Sequence, residues 1–269
     1  MTQDTGEAML EQVIAIARRA GERIIEIYER DFDVEHKDDR SPLTEADMAA
    51  HRVIVEQLRA IKPELPVLSE ESAAVPFEER STWSRYWLVD PLDGTREFIK
   101  RNGEFTVNIA LIDAHEPVLG VIVVPVTGVC YYASRGHGAF VQRGTAPSRP
   151  IQVRALDRAH VVVAGSRSHA GEALIAFLDR LGSHELVSMG SSLKFCLVAE
   201  GKADVYARLG PTSEWDTAAA HCIVTEAGGR VTDTAMQPLR YNTKESLLNP
   251  YFFASADTQF DWSQFLAAE

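Results

Sequence analysis

The spacing of apolar residues predicts two helices and then a run of strands in the first half of the chain. Apolar side chains recur every three to four positions over residues 7–30, which is the period of a helix, and again from Thr44 onwards. Six later segments are rich in valine, isoleucine, leucine and aromatic residues, as strands are. They are 65–69, 86–90, 105–112, 118–126, 129–133 and 139–142. We therefore expect two helices followed by a mostly antiparallel sheet.

Strand and helix patterns alternate in the second half of the chain. Strands are predicted near 151–153, 160–165, 185–189 and 203–208, and helices near 170–181, 191–200 and 215–227. The pair Gly228-Gly229 ends the last helix. Turn-forming residues cluster at 143–150, between the two halves. We expect an α/β protein with an α+β part over 1–147 and an α/β part over 148–269.

The charge balance argues against binding to a nucleic-acid polymer. The 269 residues carry a net charge of −12, so an anionic partner needs a local source of positive charge, which metal ions can supply. The start of the chain lacks the layout of a secretory signal, and no apolar run reaches the ~20 residues of a spanning helix. The three cysteines lie far apart in apolar runs, which predicts buried thiols. We expect a cytoplasmic protein without a transmembrane segment.

The stretch WLVDPLDGT places two carboxylates where an apolar strand ends. Asp90 follows the strand, and Pro91 holds the next residues in a bend, so that Asp93 can point back towards Asp90. With the carbonyl oxygen of Leu92 between them, these residues offer three oxygen ligands within four positions, a set that suits Mg²⁺. An ordinary turn explains the same stretch equally well, because aspartate, proline and glycine all favour turns.

Two further acidic positions weigh against the simple turn. Glu70 lies at the end of the apolar run PVLSEE, and Asp216 lies at a predicted helix start in EWDTAAAHC. A solvated turn explains the first alone, and a helix N-terminal carboxylate explains the second alone. The chance that all three acidic sites are only turns or caps is smaller than the chance for any one of them alone. A metal site that they share is the other explanation.

Four segments, in this order and spacing, resemble the signature of the inositol monophosphatase superfamily, whose members are magnesium-dependent and lithium-sensitive phosphatases. They are SPLTEAD, LSEES, DPLDGT and EWDTAAAHCIVTEAGG. Within the superfamily, DGTREFIKRNGEFTVNIALI, GSSLKFCLVAEGKAD and ESLLNP are most similar to the CysQ branch of 3'(2'),5'-bisphosphate nucleotidases. The resemblance implies a layered αβαβα sandwich of the inositol monophosphatase and fructose bisphosphatase type.

The same resemblance implies the metal ligands. Glu70, Asp90 and the Leu92 carbonyl would bind one Mg²⁺, while Asp90, Asp93 and Asp216 would bind a second. A third and weaker ion is implied near Glu70, and Li⁺ is implied as an inhibitor. The substrate phosphate would contact much of this site, namely Glu70, Leu92, Asp93, Gly94, Thr95 and Asp216, with the amides of Gly94 and Thr95 holding its oxygens.

Two explanations are open for Asp47. The sequence Thr44-Glu45-Ala46-Asp47 resembles a capping box, in which Asp47 caps its own helix. The family resemblance instead pairs Asp47 with the hydroxyl of Thr95, and Thr95 with Glu70, to activate the attacking water as catalytic residues. One carboxylate can serve both purposes.

A nucleotide substrate carries a second phosphate, and the sequence offers donors for it. Ser191 and Lys194 in GSSLK, and Arg208 in YARLG, are the candidates, while His169 is a candidate contact of the base or ribose. The alternative is that Lys194 and Arg208 are exposed charges without partners. The resemblance implies removal of the 3'-phosphate of adenosine 3',5'-bisphosphate, a by-product of sulfate assimilation, to give AMP.

Two rival functions remain open from the sequence. One is an inositol or sugar monophosphatase of the same superfamily, and the other is a non-catalytic module that binds Mg²⁺ or a nucleotide. The choice between monomer and homodimer is also open, as is peripheral association with the cytoplasmic face of the inner membrane.

Overall fold

Two helices cover one face of a seven-stranded sheet in the first half of the protein. The computed structural model describes residues 3–36, 42–166 and 171–267. The helices α1 (Gln3–Tyr28) and α2 (Glu45–Ala60) pack against each other and against this sheet. Between them lies a short antiparallel pair, β1 (Val34–His36) and β2 (Pro42–Thr44).

The seven strands of the large sheet follow one another in space as they do along the chain. They are β3 (Val67–Ser69), β4 (Arg85–Asp93), β5 (Thr106–Asp113), β6 (Glu116–Val124), β7 (Val129–Ser134), β8 (Ala139–Arg143) and β9 (Arg149–Ile151). The β3–β4 pair is parallel and the other pairs are antiparallel, so the prediction of a mostly antiparallel sheet is confirmed. Two short helices flank β4, namely α3 (Phe77–Arg80) and α4 (Thr95–Ile99).

A five-stranded mixed sheet forms the centre of the second half. Its strands are β10 (Val161–Ser166), β11 (His184–Met189), β12 (Val205–Arg208), β13 (Arg230–Asp233) and β14 (Phe252–Ser255). The spatial order is β11-β10-β12-β14-β13, with β10 parallel to both of its neighbours. The helices of this half are α5 (Glu172–Leu181), α6 (Leu193–Ala199) and α7 (Glu214–Glu226).

Three apolar cores hold five layers together. The first lies between α1, α2 and one face of the large sheet, and includes Trp87 and Val89. Their neighbour Leu88 points to the opposite face, because successive side chains of a strand alternate. There it joins the second core, which contains α6 and α7 between the two sheets. The third core lies between the small sheet and α5, and includes Phe177 and Phe253. The predicted αβαβα sandwich is confirmed.

Close packing fixes the position of α7 on the large sheet. A Cβ atom on Gly120 of β6 would lie only 2.2 Å from the carbonyl oxygen of Ala219 on α7, so only glycine fits at this contact. The alanines Ala218, Ala219 and Ala220 let the helix lie this close to the strands. Because α7 belongs to the second half and packs on the sheet of the first, both halves shape the region where this helix begins. The boundary between 147 and 148 stays a prediction.

Sequence patterns missed or misplaced several elements. The strand β4 does not end at Asp90 but continues to Asp93, with a shift of register between these two residues. Proline has no N–H to donate to a sheet, so Pro91 interrupts the ladder without ending the strand. The missed strands β1, β2, β13 and β14 have four residues at most, too few for an apolar period to show. Among the described helices, none combines the length and apolar character needed to span a membrane.

Candidate metal and phosphate site

The predicted acidic positions meet in one cavity between the two halves. The cavity has a volume of about 340 Å³, and its lining includes Glu70 after β3, Asp90 and Asp93 on β4, Thr95 on α4 and Asp216 on α7. Three of them, Glu70, Asp90 and Asp216, each offer a carboxylate oxygen within 4.8 Å of the other two. The structure thus brings together carboxylates that are far apart in the sequence.

Burial and the repulsion of neighbouring charges make Asp90 and Asp216 hard to ionise. The Asp90 side chain is 1% exposed. Burial raises the pKa of Asp90 well above its usual range, and the nearby charges of Glu70, Asp93 and Asp216 raise it further. Burial, followed by the charges of Asp93 and Glu70, raises the pKa of Asp216 to about 8. A cation at this position would relieve the repulsion, and carboxylate oxygens are the ligands that Mg²⁺ prefers.

The stability of the metal-free protein is therefore expected to fall as the pH rises. Folded Asp216 keeps its proton up to a pH of about 8, whereas unfolded Asp216 loses it at the ordinary pKa of aspartate. The folded state thus binds more protons than the unfolded state between these two values. The resulting contribution to the free energy of unfolding is lost progressively as the pH rises through about 8. The urea midpoint in EDTA, measured at about pH 5.5 and about pH 8.5, should be lower at the higher pH.

Asp216→Asn serves as the matched variant for this measurement, because asparagine carries no titrating proton. Its urea midpoint should change less between the two pH values than that of the natural chain. A natural chain that is more stable at the higher pH in EDTA would contradict the account of a repulsive carboxylate cluster.

Two of the carboxylates also fix the start of their own helices. Asp47 Oδ2 accepts hydrogen bonds from the amide of Thr44 (2.8 Å) and from its hydroxyl (2.6 Å). Asp216 Oδ2 accepts one from the amide of Ser213 (2.9 Å). Both aspartates thus complete capping boxes, as the third residues of α2 and α7. One oxygen of each anchors the side chain to the backbone and determines where the other oxygen points.

The structure contains both contacts that were considered for Asp47. While Oδ2 caps α2, Oδ1 accepts a hydrogen bond of 3.2 Å from the hydroxyl of Thr95. The same hydroxyl lies 3.4 Å from the carbonyl oxygen of Leu92, near the end of β4 and beside the acidic cluster. Gly94 has a φ of +94° and begins α4. A left-handed φ of this kind favours glycine, so Gly94 is what lets the chain turn from β4 into Thr95.

The structure places the predicted second-phosphate residues in the same cavity, although their polar groups already have partners. Lys194 is 6% exposed, and its Nζ donates hydrogen bonds to the carbonyls of Ser191 (2.5 Å) and Met189 (3.3 Å). Burial lowers the pKa of Lys194 to about 8. The interpretation of Lys194 as an exposed charge without a partner is therefore wrong. Its ammonium group holds the loop that joins β11 to α6.

Arg208 also lines the cavity and is anchored locally. Its Nε donates a hydrogen bond to the hydroxyl of Thr212 (2.6 Å), and its Nη2 donates one to the carbonyl of Pro211 (2.7 Å). These contacts fix the guanidinium at the edge of the cavity. His169 lies outside the residues that the structure describes.

A second cavity adjoins the first and was not predicted from the sequence. It has a volume of about 650 Å³ and shares Arg96, Ser166, Tyr206 and Arg208 with the acidic cavity. Tyr251, whose surface is 48% exposed, contributes to its lining. The sequence offered one indication of Tyr251, namely its position directly after the segment ESLLNP. The two cavities together give room for a ligand that is larger than one phosphate.

Comparisons with known proteins agree with this geometry. The chain matches the inositol monophosphatase family model over residues 6–260. The 3'(2'),5'-bisphosphate nucleotidase CysQ of Salmonella typhimurium is 53% identical over 246 residues, which cover 91% of this chain and 98% of that protein. The protein of the same name from Escherichia coli strain K12 is 52% identical over 249 residues, covering 92% and 99%.

Solved structures show the same similarity in three dimensions. CysQ from Bacteroides thetaiotaomicron, described as a bacterial member of the inositol monophosphatase family, has a TM-score of 0.82 and 44% identity, and the match covers 93% of this chain and 97% of that one. An inositol monophosphatase from Anabaena has a TM-score of 0.76 at 24% identity, covering 97% and 94%, which shows a shared fold. The similarities extend over both halves of the chain and therefore over every segment that lines the acidic cavity.

Proposed function

Because the chain belongs to the inositol monophosphatase family, we propose that it is a metal-dependent 3'(2'),5'-bisphosphate nucleotidase of the CysQ type. Its reaction would remove the 3'-phosphate of adenosine 3',5'-bisphosphate and release AMP and phosphate. In this role it would clear a by-product of sulfate assimilation. The observation that carries the proposal is the carboxylate cluster around the buried Asp90, in a chain 53% identical to a CysQ nucleotidase over nearly its whole length.

The donor set of the cavity fits hard divalent cations. Glu70, Asp90 and the Leu92 carbonyl would hold one Mg²⁺, and Asp90, Asp93 and Asp216 would hold a second, with Asp90 shared. A third, weaker ion would lie near Glu70, and Li⁺ would inhibit by competing for a cation site. The oxygen-only ligands and the raised pKa values of Asp90 and Asp216 support this assignment. Bound cations would neutralise charge on the phosphoryl oxygens and lower the pKa of the attacking water.

The contact between Thr95 and Asp47 supplies a path for the proton of that water. The Thr95 hydroxyl donates its own proton to Asp47 Oδ1 at 3.2 Å, which leaves the lone pairs of the hydroxyl oxygen free to accept a water proton. Glu70 lines the same cavity and would orient the water from its other side. As the water attacks the phosphorus, its proton would pass to Thr95 while the Thr95 proton passes to Asp47. The bond between phosphorus and the ribose 3'-oxygen would break, and the departing oxygen would take up a proton from solvent. The amides of Gly94 and Thr95 would hold the phosphate oxygens.

The adjoining cavity supports a nucleotide as the substrate. A phosphate at the acidic cluster would leave the nucleoside to extend past Arg208 towards Tyr251, since both residues line the second cavity. Ser191, Lys194 and Arg208 would receive the second phosphate, and His169 would contact the base or ribose. The exposed Tyr251 ring offers a face on which a base can stack.

A panel of substrates tests this proposal together with the Tyr251→Ala variant. Natural protein in Mg²⁺ should release phosphate from adenosine 3',5'-bisphosphate faster than from inositol 1-phosphate or AMP, and Li⁺ should inhibit the release. Loss of one stacking contact costs about 1–3 kcal/mol, so Tyr251→Ala should raise KM for the bisphosphate about tenfold. Hydrolysis of inositol 1-phosphate should be unchanged in this variant, and Tyr251→Phe should behave as the natural chain.

Each rival function has its own outcome in the panel. A preference for inositol 1-phosphate would support the monophosphatase. Binding of Mg²⁺ without phosphate release from any of the three compounds would support a non-catalytic module. An unchanged KM for the bisphosphate in Tyr251→Ala would exclude the second cavity as the place of the base.

A further inference from the structure

Asp93 is held by a network of donors that the sequence did not reveal. Its Oδ2 accepts hydrogen bonds from the hydroxyl of Ser191, from the amide of Ser192 and from the hydroxyl of Ser192, each at 2.7 Å. Asn108 Nδ2 lies 3.4 Å from the same oxygen. Among the described residues, all of these contacts end on Oδ2, which leaves Oδ1 available to a cation. The side chain is therefore oriented before any ligand arrives.

Ser192 is the member of this network that reaches both halves of the acidic cluster. Its hydroxyl oxygen lies 2.7 Å from Asp93 Oδ2 and 2.9 Å from the carbonyl oxygen of Asp216. Asp93 is on β4 of the large sheet, whereas Asp216 is on α7 of the second half. One buried side chain thus spans the two segments whose carboxylates must come together.

The direction of the Ser192 hydroxyl is imposed by its neighbours. Asn108 Nδ2 donates a hydrogen bond to Ser192 Oγ at 2.9 Å, while Asn108 Oδ1 accepts one from the hydroxyl of Thr106 at 2.9 Å. Because Ser192 Oγ accepts a hydrogen bond from Asn108, its own single proton points towards Asp93 Oδ2 and the carbonyl oxygen of Asp216. A donor fixed in this way holds Asp93 Oδ2 in place and so sets the direction of the other carboxylate oxygen.

The loop that carries Ser192 is fixed on its other side as well. The Gly190 amide donates a hydrogen bond to Glu104 Oε2 (2.8 Å), and Lys194 holds the carbonyls of Met189 and Ser191. A Cβ on Gly190 would lie 2.8 Å from the carbonyl oxygen of Glu104, so the loop sits directly against its neighbour. Contacts outside the acidic cluster therefore also fix the position of Ser192.

From these contacts we infer that Ser192 is a positioning residue, whose hydroxyl aligns Asp93 with Asp216 and so sets the affinity of the site for divalent cations. The inference rests on the proposed metal site. Side chains that orient metal ligands in this way typically contribute 10- to 100-fold to metal affinity. A serine that only filled space in the core would contribute to stability and not to cation affinity.

The test measures cation binding directly, with Mn²⁺ as the probe and without substrate. Titration followed by electron paramagnetic resonance of the free ion gives the affinity of the natural chain and of its variants. Ser192→Ala is expected to bind Mn²⁺ about 10- to 100-fold more weakly. Ser192→Thr, which keeps the hydroxyl, should recover part of that loss. Ser255→Ala is the matched control, since Ser255 is equally buried but lies at the far end of β14 from Arg208.

A second variant keeps the test decisive if Ser192→Ala does not fold. Asn108→Ala removes the hydrogen bond that directs the Ser192 hydroxyl, together with the longer contact of 3.4 Å to Asp93 Oδ2, so it should also weaken Mn²⁺ binding. Natural affinity in folded Ser192→Ala or in Asn108→Ala overturns the role of Ser192 while leaving the metal site standing. Absence of Mn²⁺ binding by the natural chain overturns the metal site itself and the role of Ser192 with it.

Discussion

Asp90→Asn is expected to abolish phosphate release and to stabilise the metal-free protein at the same time. Asp90 is the carboxylate shared by both proposed cations, so its loss should remove several kcal/mol of transition-state stabilisation. The rate should therefore fall at least about 10³-fold. Without metal, however, the ionised side chain is buried beside Glu70, Asp93 and Asp216. Asparagine removes that charge, and its oxygen can still accept the amide of Leu92, which lies 3.0 Å from Asp90 Oδ1.

Two measurements check this pair of effects. The initial rate with adenosine 3',5'-bisphosphate gives the loss of activity, and thermal unfolding in EDTA at alkaline pH gives the stability. For a chain of this size each kcal/mol of stabilisation raises Tm by about 2–4 °C. Asp113→Asn is the control, since Asp113 lies at the opposite end of the β4–β5 pair, and it should keep full activity. Normal activity in Asp90→Asn would refute the metal assignment. A Tm below that of the natural chain would refute the repulsion between Asp90 and the neighbouring carboxylates.

Thr95→Ala is expected to lower kcat by about 10²- to 10⁴-fold, the usual contribution of a positioned proton acceptor. The variant removes the hydroxyl that links the attacking water to Asp47 but leaves every carboxylate of the cluster in place. Metal affinity should therefore stay close to that of the natural chain. Steady-state kinetics at saturating Mg²⁺, together with a Mn²⁺ titration, separate these two quantities.

Thr95→Ser provides the control because it retains the hydroxyl at the same position. It should keep most of the activity, whereas Asp47→Ala should lose about as much as Thr95→Ala. A kcat within about threefold of the natural value in Thr95→Ala would show that the proton leaves by another path.

The sequence was most informative where an element and its chemistry lie close together along the chain. The segment from Asp90 to Thr95 brings two acidic side chains, the turn-forming Gly94 and the start of a helix together within six residues, and local residue preferences pointed to the turn and the helix start. The capping box at Thr44 is local in the same sense, and the structure contains it. Long apolar periods predicted elements such as α1, α2 and β5, whereas the layered sandwich was implied by the family resemblance.

Contacts between distant segments could not be predicted in this way. Ser192 and Asp93 are 99 positions apart, and only the folded chain shows that two hydrogen bonds join them. The burial of Lys194 has the same origin, because its environment depends on the packing of α6 between the two sheets. A lysine is usually exposed, so residue type alone favoured the wrong environment.

The strand β4 shows a third kind of limit. Proline ordinarily marks the end of a strand, yet Pro91 lies inside β4 because the partner strand β5 continues past it. Pairing between strands outweighed the local preference, and Asp93 consequently lies on a strand that is anchored to the large sheet. This anchoring was not visible in the sequence around Pro91.

The most direct measurement of the central claim is the identity of the product. The purified chain, incubated with adenosine 3',5'-bisphosphate and Mg²⁺, should yield one equivalent of phosphate and 5'-AMP, separated and identified by chromatography. This result would establish that the acidic cluster receives the 3'-phosphate while the 5'-phosphate stays on the nucleoside. Adenosine 3'-monophosphate as the product, or recovery of the bisphosphate unchanged, would contradict the account.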